Sequence, residues 1–135
     1  MASATEESTT LDLKFDENGL IGAIVTSATD GAVLMFAYMN REALQKTVQT
    51  GMVHFYSRSR KQIWKKGETS GETFAVNEIL TDCDQDVLQI KATANGQGAA
   101  CHTGRKSCFY RRLSDGKLEF VDNDKLFDAA TVYKK

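Results

Sequence analysis

The sequence predicts an α+β domain with a mixed or antiparallel β-sheet, one main helix near residues 40–50 and a short C-terminal helix. Two observations predict this class. Short apolar segments with strand-like composition recur along the chain, and Asn-Gly or Asp-Gly turns separate several of them. Segments with helical character are few, and runs of strands with few helices are typical of α+β folds. Proline is absent, so turns depend on glycine, asparagine and aspartate.

The first ten residues are rich in Ser, Thr and Glu, which predicts a flexible tail at 1–10 followed by a single domain at 11–135. Apolar residues then alternate to a turn at Asn18-Gly19. The segments 20–27 and 32–39 are strand candidates, and Asp30-Gly31 between them is a hairpin signal.

The main helix is predicted from its two ends. Asn40 can cap its start, with Glu42 well placed in the positive first turn. Leu44 and Val48 lie one turn apart, and Gly51 is suited to the left-handed residue after a helix. This spacing predicts a helix of about ten residues, a usual length.

The second half of the chain contains further strand candidates at 52–58, 73–80, 87–93, 107–113 and 117–121. An acidic cluster separates the second and third of these. A short helix from about residue 123 would complete the fold.

Composition excludes several classes of protein. The 17 basic and 18 acidic residues leave a net charge of −1, which argues against a protein that coats nucleic acid through bulk charge. No apolar run approaches the roughly 18 residues of a membrane span. The N-terminus lacks the apolar segment of a signal peptide, so we expect a cytoplasmic protein without a membrane partner.

The acidic cluster contains Asp82, Asp84 and Asp86, with Cys83 between the first two. On an extended backbone the three carboxylates would share one face, while Cys83 would point to the other. Converging carboxylates repel one another unless a cation or water screens them. Oxygen ligands suit magnesium or calcium, although the spacing is not that of an EF-hand. The alternative is a solvated acidic turn.

The three cysteines are an odd number, which favours metal ligands or reactive thiols over a disulfide framework in a reducing compartment. Cys83, Cys101 and Cys108 match a zinc site with an open coordination position. Unpaired, half-buried cysteines are the alternative. His102 follows Cys101 and could be a fourth ligand, a general acid or base, or a locally hydrogen-bonded residue. His54, in a strand candidate, is interpreted as a packed residue.

A basic segment spans residues 57–67 and carries five positive charges. Guanidinium groups and a glycine-containing turn could bind phosphate there, whereas a solvated charged loop is the alternative. Because the whole chain is nearly neutral, this local positive charge favours a small anionic ligand over a long polyanion.

Five ordered blocks resemble the phosphoribosyl-AMP cyclohydrolase family. The resemblance extends from about residue 11 to residue 112, with Gly22 and Ala99 at positions where proline is expected in many members. The blocks are residues 34–40 (LMFAYMN), 54–60 (HFYSRSR), 64–71 (WKKGETSG), 82–86 (DCDQD) and 100–111 (ACHTGRKSCFYR).

The resemblance implies an intertwined homodimer with one zinc and one magnesium ion per subunit. It implies that Cys83 of one subunit and Cys101 and Cys108 of the other bind zinc. Magnesium would be bound by Asp82, Asp84 and Asp86. Because the chain ends at residue 135, we also expect the form without a following pyrophosphohydrolase domain.

The implied activity is the third step of histidine biosynthesis, which opens the adenine ring of N1-phosphoribosyl-AMP between N1 and C6. The resulting hypothesis assigns proton transfer to His102 and phosphate binding to Arg58, Arg60 and Lys66. One alternative is a zinc-stabilised RNA- or DNA-binding module that uses Tyr56 and Trp64 as stacking platforms. A thiol redox protein ranks lower, because no Cys-x-x-Cys pair is present.

Overall fold

The structure, a computed structural model, describes residues 6–121 and 124–126. Within these residues it contains eight strands and one helix, an α+β arrangement as predicted. The elements are β1 (Ile21–Ser27), β2 (Val33–Met39), α1 (Arg41–Thr50), β3 (His54–Ser57), β4 (Gln62–Lys65), β5 (Phe74–Thr81), β6 (Val87–Ala94), β7 (Arg111–Ser114) and β8 (Lys117–Phe120).

The main sheet has the strand order β2-β1-β6-β5. Strand β1 pairs antiparallel with β2 and parallel with β6, and β6 pairs antiparallel with β5, so the sheet is mixed. Alternate residues of β1 point into the core, where Ala23 and Val25 are fully buried. Ile90 of β6 and Phe74 of β5 are also fully buried and extend this apolar layer.

Helix α1 begins and ends at the predicted residues. The Asn40 side chain accepts a hydrogen bond from the Ala43 N–H at 2.8 Å. Gly51 adopts the left-handed conformation with φ 74°, and its N–H bonds the Thr47 carbonyl. The buried positions of the helix are Ala43 and Thr47, whereas Val48 is 65% exposed. Ala43 and Thr47 therefore form the side of the helix that faces the core, and Val48, the next residue, faces solvent.

Three parts of the fold differ from the prediction. Strand β4 lies inside the basic segment, which forms an antiparallel β3–β4 hairpin with Lys61 in its turn at φ 54°. Strand β7 begins only at Arg111, because Ser107 and Cys108 instead bond the carbonyls of β2. The predicted C-terminal helix falls mostly outside the described residues, and residues 124–126 are not helical.

The two small sheets differ in how they pack. The β3–β4 hairpin joins the core through Phe55, whose ring lies 5.2 Å from that of Trp64. The β7–β8 hairpin leaves every residue of β8 exposed. Across residues 6–121 and 124–126, no helix has both the length and the apolar character needed to cross a membrane.

One buried hydroxyl connects α1 to β3, and its removal should destabilise the fold. The Thr47 hydroxyl donates to the Ala43 carbonyl at 2.8 Å and accepts from the His54 N–H at 2.9 Å. Thr47→Val keeps the side-chain shape but leaves the His54 N–H without its acceptor, so we expect a loss of about 1–3 kcal/mol in the free energy of unfolding.

The control for this experiment is Val48→Thr, which makes the reverse substitution at the next residue. Because Val48 is exposed, its replacement should change stability by less than about 0.5 kcal/mol. Urea denaturation measures both variants. Equal losses in the two would show that the buried hydroxyl has no special role.

Candidate functional site

A cleft of about 370 Å³ lies beside the β3–β4 hairpin. One wall is the end of β4 with the turn that follows it, and the opposite wall is the irregular segment between β6 and β7. We call residues 95–108 of this segment the thiol loop. The cleft is lined by Met35, Arg60, Trp64, Lys65, Lys66, Gly67, Glu68, Thr69, Ser70, Ala100, His102 and Cys108.

The thiol loop folds back on itself and so brings Cys101 and Cys108 together. The Ala100 N–H donates to the Lys106 carbonyl at 3.0 Å, and the Cys101 N–H donates to the Arg105 carbonyl at 3.1 Å. The Cys108 N–H bonds the β2 edge at 2.7 Å. This double anchorage places the two thiols side by side.

The environment of the two thiols suits a soft divalent cation. Cys101 is buried, and the Thr103 hydroxyl donates to its Sγ at 3.1 Å. Cys108 is exposed as a residue, but partial burial of its thiol and the adjacent Cys101 raise its pKa to about 12. Two neighbouring thiols cannot both ionise easily unless a cation balances their charge, which is the role of zinc in thiolate sites.

Lys66 is buried at the inner end of the cleft, whereas a residue that binds phosphate at the surface would be exposed. It is 6% exposed, and its ammonium group lies 5.4 Å from the centre of the Phe74 ring. Burial lowers the pKa of Lys66, while the charges of Cys108, Glu72 and Cys101 act in the opposite direction. The lysine therefore places positive charge against the thiols.

Sequence reasoning missed Glu72, which is 3% exposed. The N–H of Gln97 donates to its two carboxylate oxygens at 3.0 and 2.9 Å, and the N–H of Ala99 donates at 3.0 Å. A proline at position 99 would have no N–H to donate. The partners lie about 25 residues along the chain from Glu72, so no local sequence signal identifies this contact.

Arg105 secures the other end of the loop. Its guanidinium group is buried and lies 4.1 Å from the Tyr110 ring centre and 5.1 Å from that of Phe120. The two rings stack with their centres 6.0 Å apart. This cation–π contact joins the thiol loop to the β7–β8 hairpin.

The remaining predicted contacts divide between two adjacent surfaces. His102 is exposed and lines the cleft together with Arg60. Arg58 lies 4.4 Å from the Tyr38 ring, in a neighbouring groove of about 440 Å³ that shares Arg60 and Trp64 with the cleft. His54 is half-buried in β3 and its Nδ1 lies 2.8 Å from the Met52 carbonyl, away from the cleft lining.

The aspartate cluster occupies the loop between β5 and β6. Ligand atoms of Asp82, Asp84 and Asp86 all lie within 4.8 Å of one another, and the three residues are exposed. The expected extended backbone is wrong, because residues 82–86 form a turn in which Gln85 has φ 59°. The turn is closed by Asp82 Oδ1, which accepts from the Asp86 N–H at 3.0 Å.

The sequence profile of the phosphoribosyl-AMP cyclohydrolase family matches residues 35–110, which include the cleft, both cysteines of the thiol loop and the aspartate turn. The chain belongs to the phosphoribosyl-AMP cyclohydrolase family.

Curated relatives with that name resemble this family member over most of its length. The Rhizobium leguminosarum protein is 53% identical over 98% of this chain and 91% of its own. The Nitrobacter winogradskyi protein is 51% identical over 98% of this chain and 94% of its own. The Chelativorans protein is 54% identical over 90% and 88%.

In this cyclohydrolase family member Cys83 lies apart from the other two cysteines. Among the residues that the structure describes, only the three aspartates form a group of three ligand atoms within 4.8 Å. Cys83 instead lines a groove with residues 6 and 8–11. Gln85 secures that N-terminal segment by accepting from the Asp12 N–H at 2.8 Å and donating to the Thr10 carbonyl at 3.1 Å. One chain therefore holds Cys108 at the cleft with Cys101 beside it, and Cys83 elsewhere.

The aspartate turn should titrate unusually in metal-free protein. Protonated Asp86 donates hydrogen bonds to Asp82 and Asp84, which raises its pKa to about 6 from the ordinary 3.8. Because the folded chain holds this proton more tightly than the unfolded chain, the stability from this group is present at acidic pH and is lost as pH rises through about 6. Carbon-13 NMR of the carboxyl groups measures the midpoint.

Two changes should lower the Asp86 midpoint. Asp84→Asn removes one acceptor and one negative charge, and millimolar magnesium should lower the midpoint if the ion binds there. Asp30 is the control, because Lys106 holds its pKa at about 2 independently of the turn. An Asp86 midpoint near 3.8 in metal-free protein would contradict this account of the cluster.

Proposed function

We propose that this chain catalyses the hydrolytic opening of the adenine ring of N1-phosphoribosyl-AMP between N1 and C6, the third step of histidine biosynthesis. The observation that carries the proposal is that Cys108 lines a basic cleft that also contains His102, with the buried thiol of Cys101 directly beside it. Membership of the cyclohydrolase family names the substrate class. Free thiols in the described chain fit a reducing, cytoplasmic setting.

We assign Cys101, Cys108 and Cys83 of a second subunit as the zinc ligands. Three protein ligands leave a fourth position open, as catalytic zinc sites require. The separation of Cys83 from the other two cysteines within one chain supports a site shared between two subunits. Thr103 donates to the Cys101 sulfur and so orients that ligand.

Exposed apolar side chains supply a surface for the proposed homodimer. An isolated two-stranded sheet is marginally stable in water, and among the described strands β7 and β8 pair only with each other. Large apolar side chains that are at least half exposed lie on and beside the hairpin. They are Phe109 (58%), Leu113 (79%), Leu118 (57%), Phe120 (55%) and Val121 (50%). Several exposed apolar side chains on and beside one hairpin support an interface between proteins at this place.

The basic and aromatic side chains of the cleft suit a phosphorylated purine. Arg60 can bind a phosphate through its planar guanidinium group, and Arg58 can do so from the adjoining groove. Lys66 adds positive charge at the buried end. Trp64 lines both cavities and offers an aromatic face to the base.

The reaction requires a nucleophile at C6 and a proton at N1. Zinc, when bound, supplies a Lewis acid that activates water near neutral pH. N1 gains a proton as its bond to C6 breaks, and His102, which lines the cleft, is assigned to deliver it. Lys66 stabilises negative charge that develops near the thiols.

The three aspartates are assigned to magnesium. Their oxygen atoms converge within 4.8 Å, and hard carboxylate ligands match that ion. Because Cys83 lies between two of them, an ion bound to the turn would also fix the position of this cysteine.

Two substitutions separate metal binding from proton transfer. Cys101→Ser should remove both zinc and ring opening, whereas His102→Asn should lower turnover by about 10²–10⁴-fold and leave zinc bound. Spectrophotometric ring-opening assays and elemental analysis measure the two properties. A zinc-free Cys101→Ser protein with full activity would refute the metal mechanism, and zinc loss in His102→Asn would make His102 a ligand.

Mixing two inactive variants tests the shared site. Cys83→Ser and Cys101→Ser are each expected to be inactive alone. After subunit exchange at equal amounts, half of the dimers are mixed and each has one complete site, so activity should recover to about a quarter of wild type. No recovery in demonstrably mixed dimers would place all zinc ligands in one chain.

A further inference from the structure

Glu72 is a buried charged residue that the proposed chemistry does not use. It lies between the turn at residues 66–71, which forms one wall of the cleft, and the thiol loop, which forms the other. An ionised carboxylate is costly to bury unless donors satisfy it. The Gln97 and Ala99 N–H groups provide those donors at 2.9–3.0 Å.

The space around Glu72 is filled on both sides. A Cβ atom added to Gly96 would lie 2.0 Å from Glu72 Oε2, so the loop backbone closes directly over the carboxylate. A Cβ atom on Gly67 would lie 2.3 Å from the Glu72 carbonyl carbon, so the turn packs equally closely. Both contacts require glycine. The Gly67 contact holds Glu72 against the turn, and the Gly96 contact brings the thiol loop against Glu72.

We infer that Glu72 is a positioning residue that fastens the thiol loop to the turn after β4 and thereby holds Cys101 in place for metal binding. Its acceptor contact at Ala99 lies two residues before Cys101. The inference rests on the proposed function. Residues that orient metal ligands from outside the coordination sphere commonly change metal affinity by about 10–100-fold when they are replaced.

The first experiment compares Glu72→Gln with Glu78→Gln in the full chain. Glutamine keeps one acceptor oxygen, but it loses the charge and directs an NH₂ group at backbone donors. Glu78 is an exposed carboxylate that pairs with Lys91 at 3.2 Å, so it controls for the loss of one acidic group. Zinc affinity is measured by competition with a chromophoric chelator, and hydrogen exchange is measured at the Gln97 and Ala99 amides.

The expected result for Glu72→Gln is a loss of zinc affinity of at least about tenfold, with faster exchange at both amides. Glu78→Gln should match wild type in both measurements. Wild-type affinity and wild-type amide protection in Glu72→Gln would overturn the inference. The global stability of Glu72→Gln is measured by urea denaturation. If a fall in that stability alone accounts for the changes in zinc affinity and amide exchange, the inference is also overturned.

A second pair of variants tests the positioning role of Glu72 if Glu72→Gln does not fold. Gly96→Ala pushes the carboxylate away from its donors without removing it. Gly19→Ala is its control, since Gly19 has a similar left-handed φ of 76° but no atom within 4 Å of the added Cβ. Weaker zinc binding in Gly96→Ala alone supports the inference, and equal binding in both variants overturns it.

Metal-free protein separates this inference from the zinc proposal. If wild type binds no zinc, the proposed function fails, but Glu72 can still be judged by the reaction of the buried Cys101 thiol with a disulfide reagent. We expect at least about tenfold faster labelling in Glu72→Gln. An unchanged labelling rate would overturn the positioning role. If zinc binds wild type and Glu72→Gln equally, only the positioning role fails.

Discussion

The segment between β6 and β7 is neither helix nor strand, yet residues 99–101, 104 and 105 within it are buried, so the backbone polar groups there need partners from within the loop or from elsewhere in the fold. Glu72 supplies acceptors for Gln97 and Ala99, and the loop supplies its own partners at Ala100 and Cys101. The β2 edge then accepts from Cys108. These contacts together determine where the two thiols meet, and the cleft depends on that position.

The electrostatics of the cleft follow from this arrangement. Burial of the Cys108 thiol, together with the adjacent Cys101, raises the pKa of Cys108, so this thiol holds its proton strongly. The buried ammonium of Lys66 offsets negative charge from one side, and Glu72 balances that lysine. The described chain thus has a site suited to a divalent ion but only two of the three proposed ligands. The third ligand and the exposed β7–β8 hairpin both favour a second copy of the chain.

The sequence predicted the elements whose ends are determined by interactions between residues close together in the chain. Asn40 and Gly51 fixed the ends of α1, because capping needs only neighbouring backbone groups. The convergence of the aspartates was predicted from an extended strand, whereas a turn with Gln85 at positive φ produces it. Strand β4 was missed because its charges resembled a solvated loop. The role of Glu72 depends on partners distant in the chain, which periodicity and spacing do not reveal.

X-ray absorption at the zinc edge, on purified protein loaded with one zinc per subunit, tests the central claim most directly. The account predicts three sulfur scatterers at about 2.3 Å and one lighter atom at a shorter distance. Cys83→Ser should reduce the sulfur number to two even though this cysteine lies apart from the cleft of its own chain. A wild-type spectrum without sulfur, or one unchanged by Cys83→Ser, would contradict a zinc site built from the thiols of two subunits.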